Sequence, residues 1–236
     1  GLGAYVSGAL AAKYGVAPLL GVLAALVGTA LAAFVIGLPA LRLRGNYLAM
    51  ATLGFNAILS VLFNELVPLT GGPNGLAGIP PIGVAGIALD TAGRFFWLAW
   101  LAGGVLMVLL ALLLASRAGR ALRAVSGSEV AAASMGVDPF RSKLAAFMFS
   151  AACAGVAGAL YAHFNQYASP ETFSFSASVL LVVMVALGGW GHYWGPLLGA
   201  AVFTAVPELL RAFQDAELLV FGAGMLVVLL FLPGGL

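Results

Sequence analysis

The sequence predicts an all-α fold, a polytopic transmembrane helical bundle of about seven spans with one short helix in a polar loop. Three observations predict it. Only 8% of the residues are charged and 63% are hydrophobic, with a mean hydropathy of +1.11, too few polar groups to wet the surface of a soluble domain. Apolar runs close to the ~20 residues a helix needs to cross a bilayer recur along the chain. A single arginine-rich polar segment, 116–143, is set among them.

Taken in order, the stretch 2–12 is too short to span and reads as the tail of a helix that begins upstream. The close at Phe231-Leu232-Pro233-Gly234-Gly235-Leu236 has no hydrophilic tail, so the chain is expected to be a fragment truncated at both ends. No positive charge precedes Lys13, which argues against a signal peptide. Spans are expected at 16–38, 47–67, 95–115, 144–166 and 196–210. The run 179–187 stops at Gly188-Gly189, and 218–232 is broken by Gly222 and Gly224; both are read as either full spans or partly re-entrant segments. All of 1–236 is expected to form one transmembrane domain. The connection 68–94 contains Thr70-Gly71-Gly72-Pro73-Asn74-Gly75 and Pro80-Pro81, which predicts a structured loop rather than a helix.

Segment 116–143 carries Arg117, Arg120, Arg123, Arg141 and Lys143 against Glu129 and Asp138. Cytoplasmic loops of membrane proteins have this bias. With each span reversing direction, Arg42 and Arg44 fall on the same side as this segment, and Lys13, Arg94 and Arg211 on the other. The loop 68–94 then faces out, and Glu65, Glu171, Glu208, Asp215 and Glu217 lie near the outer ends of spans. None is mid-span, which argues against proton or sodium coupling, where ionisable groups sit within the membrane. Cys153 reads as a small packing residue in an apolar run. His163 and His192 lie in different segments and do not make a metal set. Neither Lys13 nor Lys143 follows a glycine, so the phosphate-binding spacing G-x-x-x-x-G-K-[ST] is absent. No cofactor, metal, catalytic residue or nucleic-acid partner is expected in this chain.

The centre of the polar segment has the boundary signals of a helix. Ser128 can cap it, Glu129 falls in the first turn where the helix dipole favours a negative charge, Gly136 can adopt the left-handed conformation, and Pro139 prevents continuation. About two turns are predicted, too short to be stable alone in water. Such a helix must dock, either through Val130, Met135 and its alanines into a groove on another protein, or onto its own bundle as a solvated connector.

Within 47–67, Thr52, Asn56, Ser60 and Asn64 recur every four residues and form one polar stripe on a helix. Polar groups facing lipid are costly. The stripe therefore lines a route for a solute or makes interhelical bonds worth about 0.6 kcal/mol each. Ala151, Ala154, Gly155 and Gly158 give small-xxx-small spacing, a helix-packing face. Gly191, Gly195 and Gly199 repeat that spacing around Pro196, as packing or as a tight turn. His192, between Trp190 and Trp194, reads as an interfacial anchor.

The stretch Glu129, Ala131, Ala132, Gly136 resembles the coupling-loop motif of ABC importer membrane subunits. With Leu38-Pro39-Ala40-Leu41-Arg42-Leu43-Arg44-Gly45, Thr70-Gly71-Gly72-Pro73-Asn74-Gly75 and Leu187-Gly188-Gly189 in matching order, nearly the whole chain resembles the branched-chain amino acid permease family, in its LivM-type branch. Val137 stands where the family usually has isoleucine. The resemblance implies a non-catalytic subunit in a bacterial inner membrane, importing branched-chain amino acids. Its implied partners are a LivH-type permease subunit, two ABC ATPase subunits that bind the ATP, and a periplasmic substrate-binding protein. It makes Glu129, Ala131, Ala132 and Gly136 the ATPase-coupling residues. Gly72, Asn74 and Glu171, expected on the outer face, are candidate contacts for the binding protein, beside ordinary interfacial solvation for the acid. Urea is the alternative substrate, and a stand-alone channel or secondary carrier the alternative class.

Overall fold

The computed structural model describes residues 1–43, 46–84, 87–88, 91–189 and 194–210. Arg44, Gly45, Trp190, Gly191, His192, Arg211, Asp215, Glu217 and the run 218–232 lie outside the described residues. The chain forms two units, Gly1–Phe173 and Ser174–Leu236.

In the first unit, α1 (Leu2–Tyr14) ends at Gly15, whose φ of 63° is the left-handed cap that glycine adopts without strain. A proline opens α2 (Pro18–Ala40) where its missing N–H costs nothing. The α3 helix (Asn46–Glu65) stops at Leu66, and α4 (Val67–Thr70) follows. The segments Met50–Glu65 and Val67–Asn74 meet at 79°. The run 47–67 is thus a helix with a break rather than one straight span, because Pro68 sits in the first turn of a new helix. A 3-10 turn, Gly72–Asn74, leads to β1 (Leu76–Ala77), then to the β2 (Gly83–Val84) and β3 (Ile87–Ala88) pair. Apart from α4 and the start of α5 at Ala92, the described residues of 68–94 form turns and short strands, in keeping with the glycines and prolines there.

Next come α5 (Ala92–Ala115), α6 (Arg117–Gly127), α7 (Glu129–Ser134) and α8 (Pro139–Asn165), then β4 (Tyr167–Ala168), which pairs antiparallel with β1. The last span begins earlier than the expected 144, because Asp138 caps it and Pro139 starts it. The preceding helix has already ended at Ser134, and Pro139 opens α8.

Helices α1, α2 and α8 pack on one another through small residues. Lipid tails are as apolar as leucine, so close backbone approach rather than hydrophobic drive joins helices in a membrane. A Cβ on Gly155 would strike the Thr29 side chain, one on Gly3 would strike the Gly155 backbone, and one on Gly21 would lie 2.7 Å from Ser7 Oγ. Gly158 faces Ala4. Of the expected packing face, Gly155 is buried and Ala154 exposed. Cys153 is half-buried. Tyr5 adds an aromatic cluster, 4.5 Å from the Phe63 ring and 6.3 Å from Phe173. In contrast, α5 has no buried residue. Trp97, Leu101 and Leu112 are exposed along it, an all-round apolar surface that calls for lipid or another protein.

The two ends of this unit differ. At one end Arg42 lies 6.0 Å over the Phe140 ring, and 116–143 is gathered there. At the other, Lys13 Nζ donates to the Pro68 carbonyl, β1 meets β4, and Phe95 stacks on Phe164 at 4.3 Å. The grouping of Arg42 apart from Lys13 and Arg94 follows the reversal of direction read from the sequence.

In the second unit, Ser174 caps α9 (Phe175–Gly188), and α10 (Gly195–Leu210) follows. They approach at Gly188, Gly195 and Gly199; a Cβ on Gly199 would strike the Met184 carbonyl. Gly195 and Gly199 therefore serve packing, while Pro196 lies in the opening turn of α10. Among the described residues, α2, α5 and α8 are long and apolar enough to cross a membrane, and the bent pair after Met50 makes a fourth if it counts as one span. With 14 and 16 residues, α9 and α10 are shorter apolar helices.

Candidate functional site

The site at the basic end is assembled by three successive caps. Ser116 turns the chain sharply after α5 and accepts at Oγ from Gly119 N–H, 3.3 Å away. Gly119 is needed there, because a Cβ would strike the Leu113 and Leu114 carbonyls. Arg120 donates to the Ala115 carbonyl at 3.2 Å and Arg123 to that of Leu114 at 3.1 Å. Cations thus satisfy the open carbonyl end of α5. The α6 helix was not expected from the sequence, where its arginines read only as a polar loop. The signal was the spacing of Ala118, Leu122 and Val125, one stripe on a helix; Val125 is buried.

The second cap is Ser128, whose Oγ accepts from Ala131 N–H at 3.3 Å and starts α7. Six residues long, α7 makes just under two turns, close to the length predicted. It ends as the sequence requires: Gly136 has φ 82°, its N–H donates to the Ala133 carbonyl at 3.0 Å, and Val137 N–H donates to that of Ala132 at 3.0 Å. This pair of bonds is the Schellman arrangement. Asp138 is the third cap, with Oδ1 accepting from Phe140 and Arg141 N–H at 3.0 and 3.2 Å and Oδ2 lying 3.2 Å from Arg141 Nε.

These caps fix what α7 presents. Ala132 is buried against the rest of the unit, whereas Val130 and Met135 are 82% and 84% exposed. Glu129 Oε1 lies 2.5 Å from Lys143 Nζ, so an ion pair ties α7 to the first turns of α8. Ala131 and Gly136 are exposed beside it. The structure therefore brings Glu129, Ala131, Ala132 and Gly136 into one short stretch that buries Ala132 and turns Val130 and Met135 outward.

The polar stripe lies elsewhere. On α3, Phe55, Leu59 and Phe63 form the row turned to the bundle, and the first two line an apolar cavity of about 210 Å³ with Thr29, Ile36 and Phe147. Asn56, Ser60 and Asn64 are each one residue further on, about 100° round the helix. They are half-buried, and Thr52 is exposed. Asn64 Nδ2 donates to the Ser60 carbonyl at 2.8 Å. The stripe thus flanks the cavity and borders open surface. The polar side chain in the lining, Thr29, bonds back to the Ala25 carbonyl at 2.7 Å.

At the opposite end, Gly72 is buried and has φ 65°, with its N–H donating to Thr70 Oγ1 at 3.1 Å. Thr70 Oγ1 in turn donates to the Phe63 carbonyl at 2.7 Å. Gly72 shapes the turn and offers no surface, a correction to its place among the contact residues. Asn74 and Glu171 are exposed. The Asn74 carbonyl accepts from Tyr167 Oη at 2.8 Å, and Glu171 opens a 3-10 turn just after β4.

Comparison with known proteins follows the same outline. The family model described as the permease component of branched-chain amino acid transport systems matches residues 1–229. Two curated relatives are each 35% identical over 263 residues: the high-affinity branched-chain amino acid transport system permease proteins LivM of Escherichia coli (strain K12) and of Salmonella typhimurium (strain LT2). Each alignment covers all of this chain and 61% of the relative. No solved structure matches.

Proposed function

This chain belongs to the permease-component family of branched-chain amino acid transport systems, and we propose that it is part of the transmembrane subunit of a binding-protein-dependent ABC importer. In this reading it is a multi-pass protein of a bacterial inner membrane. It catalyses no reaction and carries branched-chain amino acids to the cytoplasm with energy from two separate ATPase subunits, a LivH-type subunit completing the membrane part.

The observation that carries the reading is α7. A six-residue helix has no stability of its own, yet it is capped at both ends, tied by Lys143, and turned so that Val130 and Met135 face outward. That is a surface made for a groove on a soluble partner. The basic residues around it support the cytoplasmic side, where ATP is. The family and both relatives favour branched-chain amino acids over urea. At the other end, Asn74 and Glu171 are offered to the periplasmic binding protein. The stripe Thr52, Asn56, Ser60 and Asn64, at the edge of the unit, lines the route once a second permease subunit covers it.

The test is the Val130→Asp, Met135→Asp double variant in the full-length protein. It is expected to insert normally but lose at least tenfold of its co-purifying ATPase, two buried apolar contacts being worth about 1.5–3 kcal/mol each. Undiminished ATPase recovery would contradict the docking assignment.

A further inference from the structure

A histidine buried among apolar helices needs partners for both ring nitrogens. His163, in the last turn of α8, is 1% exposed. Its Nδ1 lies 2.7 Å from the Pro80 carbonyl and its Nε2 lies 2.7 Å from Ser7 Oγ. A carbonyl only accepts, so Nδ1 carries the proton; in the neutral ring Nε2 then accepts from the Ser7 hydroxyl. One ring thereby joins α8, α1 and the 68–84 loop. Ser7 also meets α2, since Gly21 has no Cβ to keep it away. The flanking Ile79 and Ile82 are buried, and Ile79 N–H donates to the Gln166 carbonyl at 3.3 Å. The Pro80 segment is sunk into the bundle, not draped over it.

The same helix carries the docking element at its other end. From Pro139 to Asn165, α8 is one helix of 27 residues, about 40 Å long at 1.5 Å per residue. Lys143 holds Glu129 of α7 near its start, and His163 holds Pro80 near its finish.

We propose that His163 is a positioning residue that transmits movement of α8 to the outer loop. Its Nδ1–H bond to Pro80 makes the loop follow the helix, so a displacement imposed at α7 reaches residues 76–84. The inference rests on the reading of α7 as the ATPase-docking element, and it assigns the far end of the same device.

Hydrogen exchange on the full-length protein, assembled with its ATPase and permease partners, tests it with ATP plus orthovanadate as the probe. In the parent, exchange in 76–84 should differ between the nucleotide-free and vanadate-trapped states. His163→Asn places its amide N–H where Nδ1–H was and should keep that response. His163→Gln places its amide near the Nε2 position, loses the Pro80 bond, and should exchange about tenfold faster in 76–84, a lost buried hydrogen bond, with no response to nucleotide. An unresponsive parent loop overturns the inference without any variant. Equal behaviour of the Asn and Gln variants overturns it too. Failure of docking itself is read from a different peptide: if 129–134 gain no protection on ATPase assembly, the reading of α7 falls and this inference with it.

Discussion

Replacing Gly155 by alanine tests the packing on which the membrane unit depends. The added Cβ would sit 2.7 Å from Thr29 Cγ2 and 2.9 Å from Thr29 Cβ, with Oγ1 nearer still, whereas carbon atoms pack at about 3.5–4.0 Å. Thr29 cannot turn aside easily. It is β-branched on a helix, and its hydroxyl is bonded to the Ala25 carbonyl at 2.7 Å. The helices α2 and α8 must therefore separate by roughly an ångström, and overpacking of this kind costs about 1–3 kcal/mol. For a protein of this size that lowers the unfolding midpoint by about 2–4 °C per kcal/mol. Thermal unfolding of the full-length protein in detergent is the assay. Gly54→Ala, with nothing within 4 Å of the new Cβ, is the control, expected to be neutral or stabilising by up to about 1 kcal/mol. Adding Thr29→Ala to Gly155→Ala removes Oγ1 and Cγ2, the two nearest clashing atoms, and leaves the Cβ at 2.9 Å, so it should recover part of the loss. A Gly155→Ala protein as stable as its parent, or one that Thr29→Ala fails to help, would refute the reasoning.

Three further outcomes follow from the same geometry. Glu129→Lys and Lys143→Glu should each lower ATP-driven uptake severalfold while shifting stability by less than about 1 kcal/mol, the worth of a partly exposed pair, and the double swap should restore uptake measured in the same cells. Gly136→Ala forces a side chain into φ 82° at about 1–2 kcal/mol, so amide exchange in α7 should quicken by tenfold or more, as read by mass spectrometry. Thr52→Leu with Asn56→Leu should cut solute uptake at least tenfold while leaving assembly and ATPase recovery intact; unchanged uptake would return the stripe to a packing role.

What the sequence made legible was local. Apolar length located α2 and α5 to within a few residues, and Ser128, Glu129 and Gly136 located α7, because caps and left-handed turns are written in neighbouring residues. The end of α3 at Glu65 falls within two residues of the expected 67, but the short helix α4 that follows was not expected, because the glycines and prolines of 68–94 read as turns. The earlier start of α8 needed Asp138 to be read as a cap, and α6 was hidden by its arginines. Long-range features had no local signature. Strands of two residues such as β1 and β4 carry no periodicity, and the partners of His163 are 83 and 156 residues away in sequence. The polar stripe was visible at its four-residue spacing, but only packing shows that Phe55 and Leu59, not the stripe, face the cavity.

The most direct test of the central claim is uptake of labelled leucine by cells making the full-length protein with its partner subunits, beside an ATPase-inactive control. Uptake that needs the active ATPase, is suppressed by valine, and is lost with Val130→Asp, Met135→Asp is the predicted result. Leucine uptake that persists with the inactive ATPase would contradict the account.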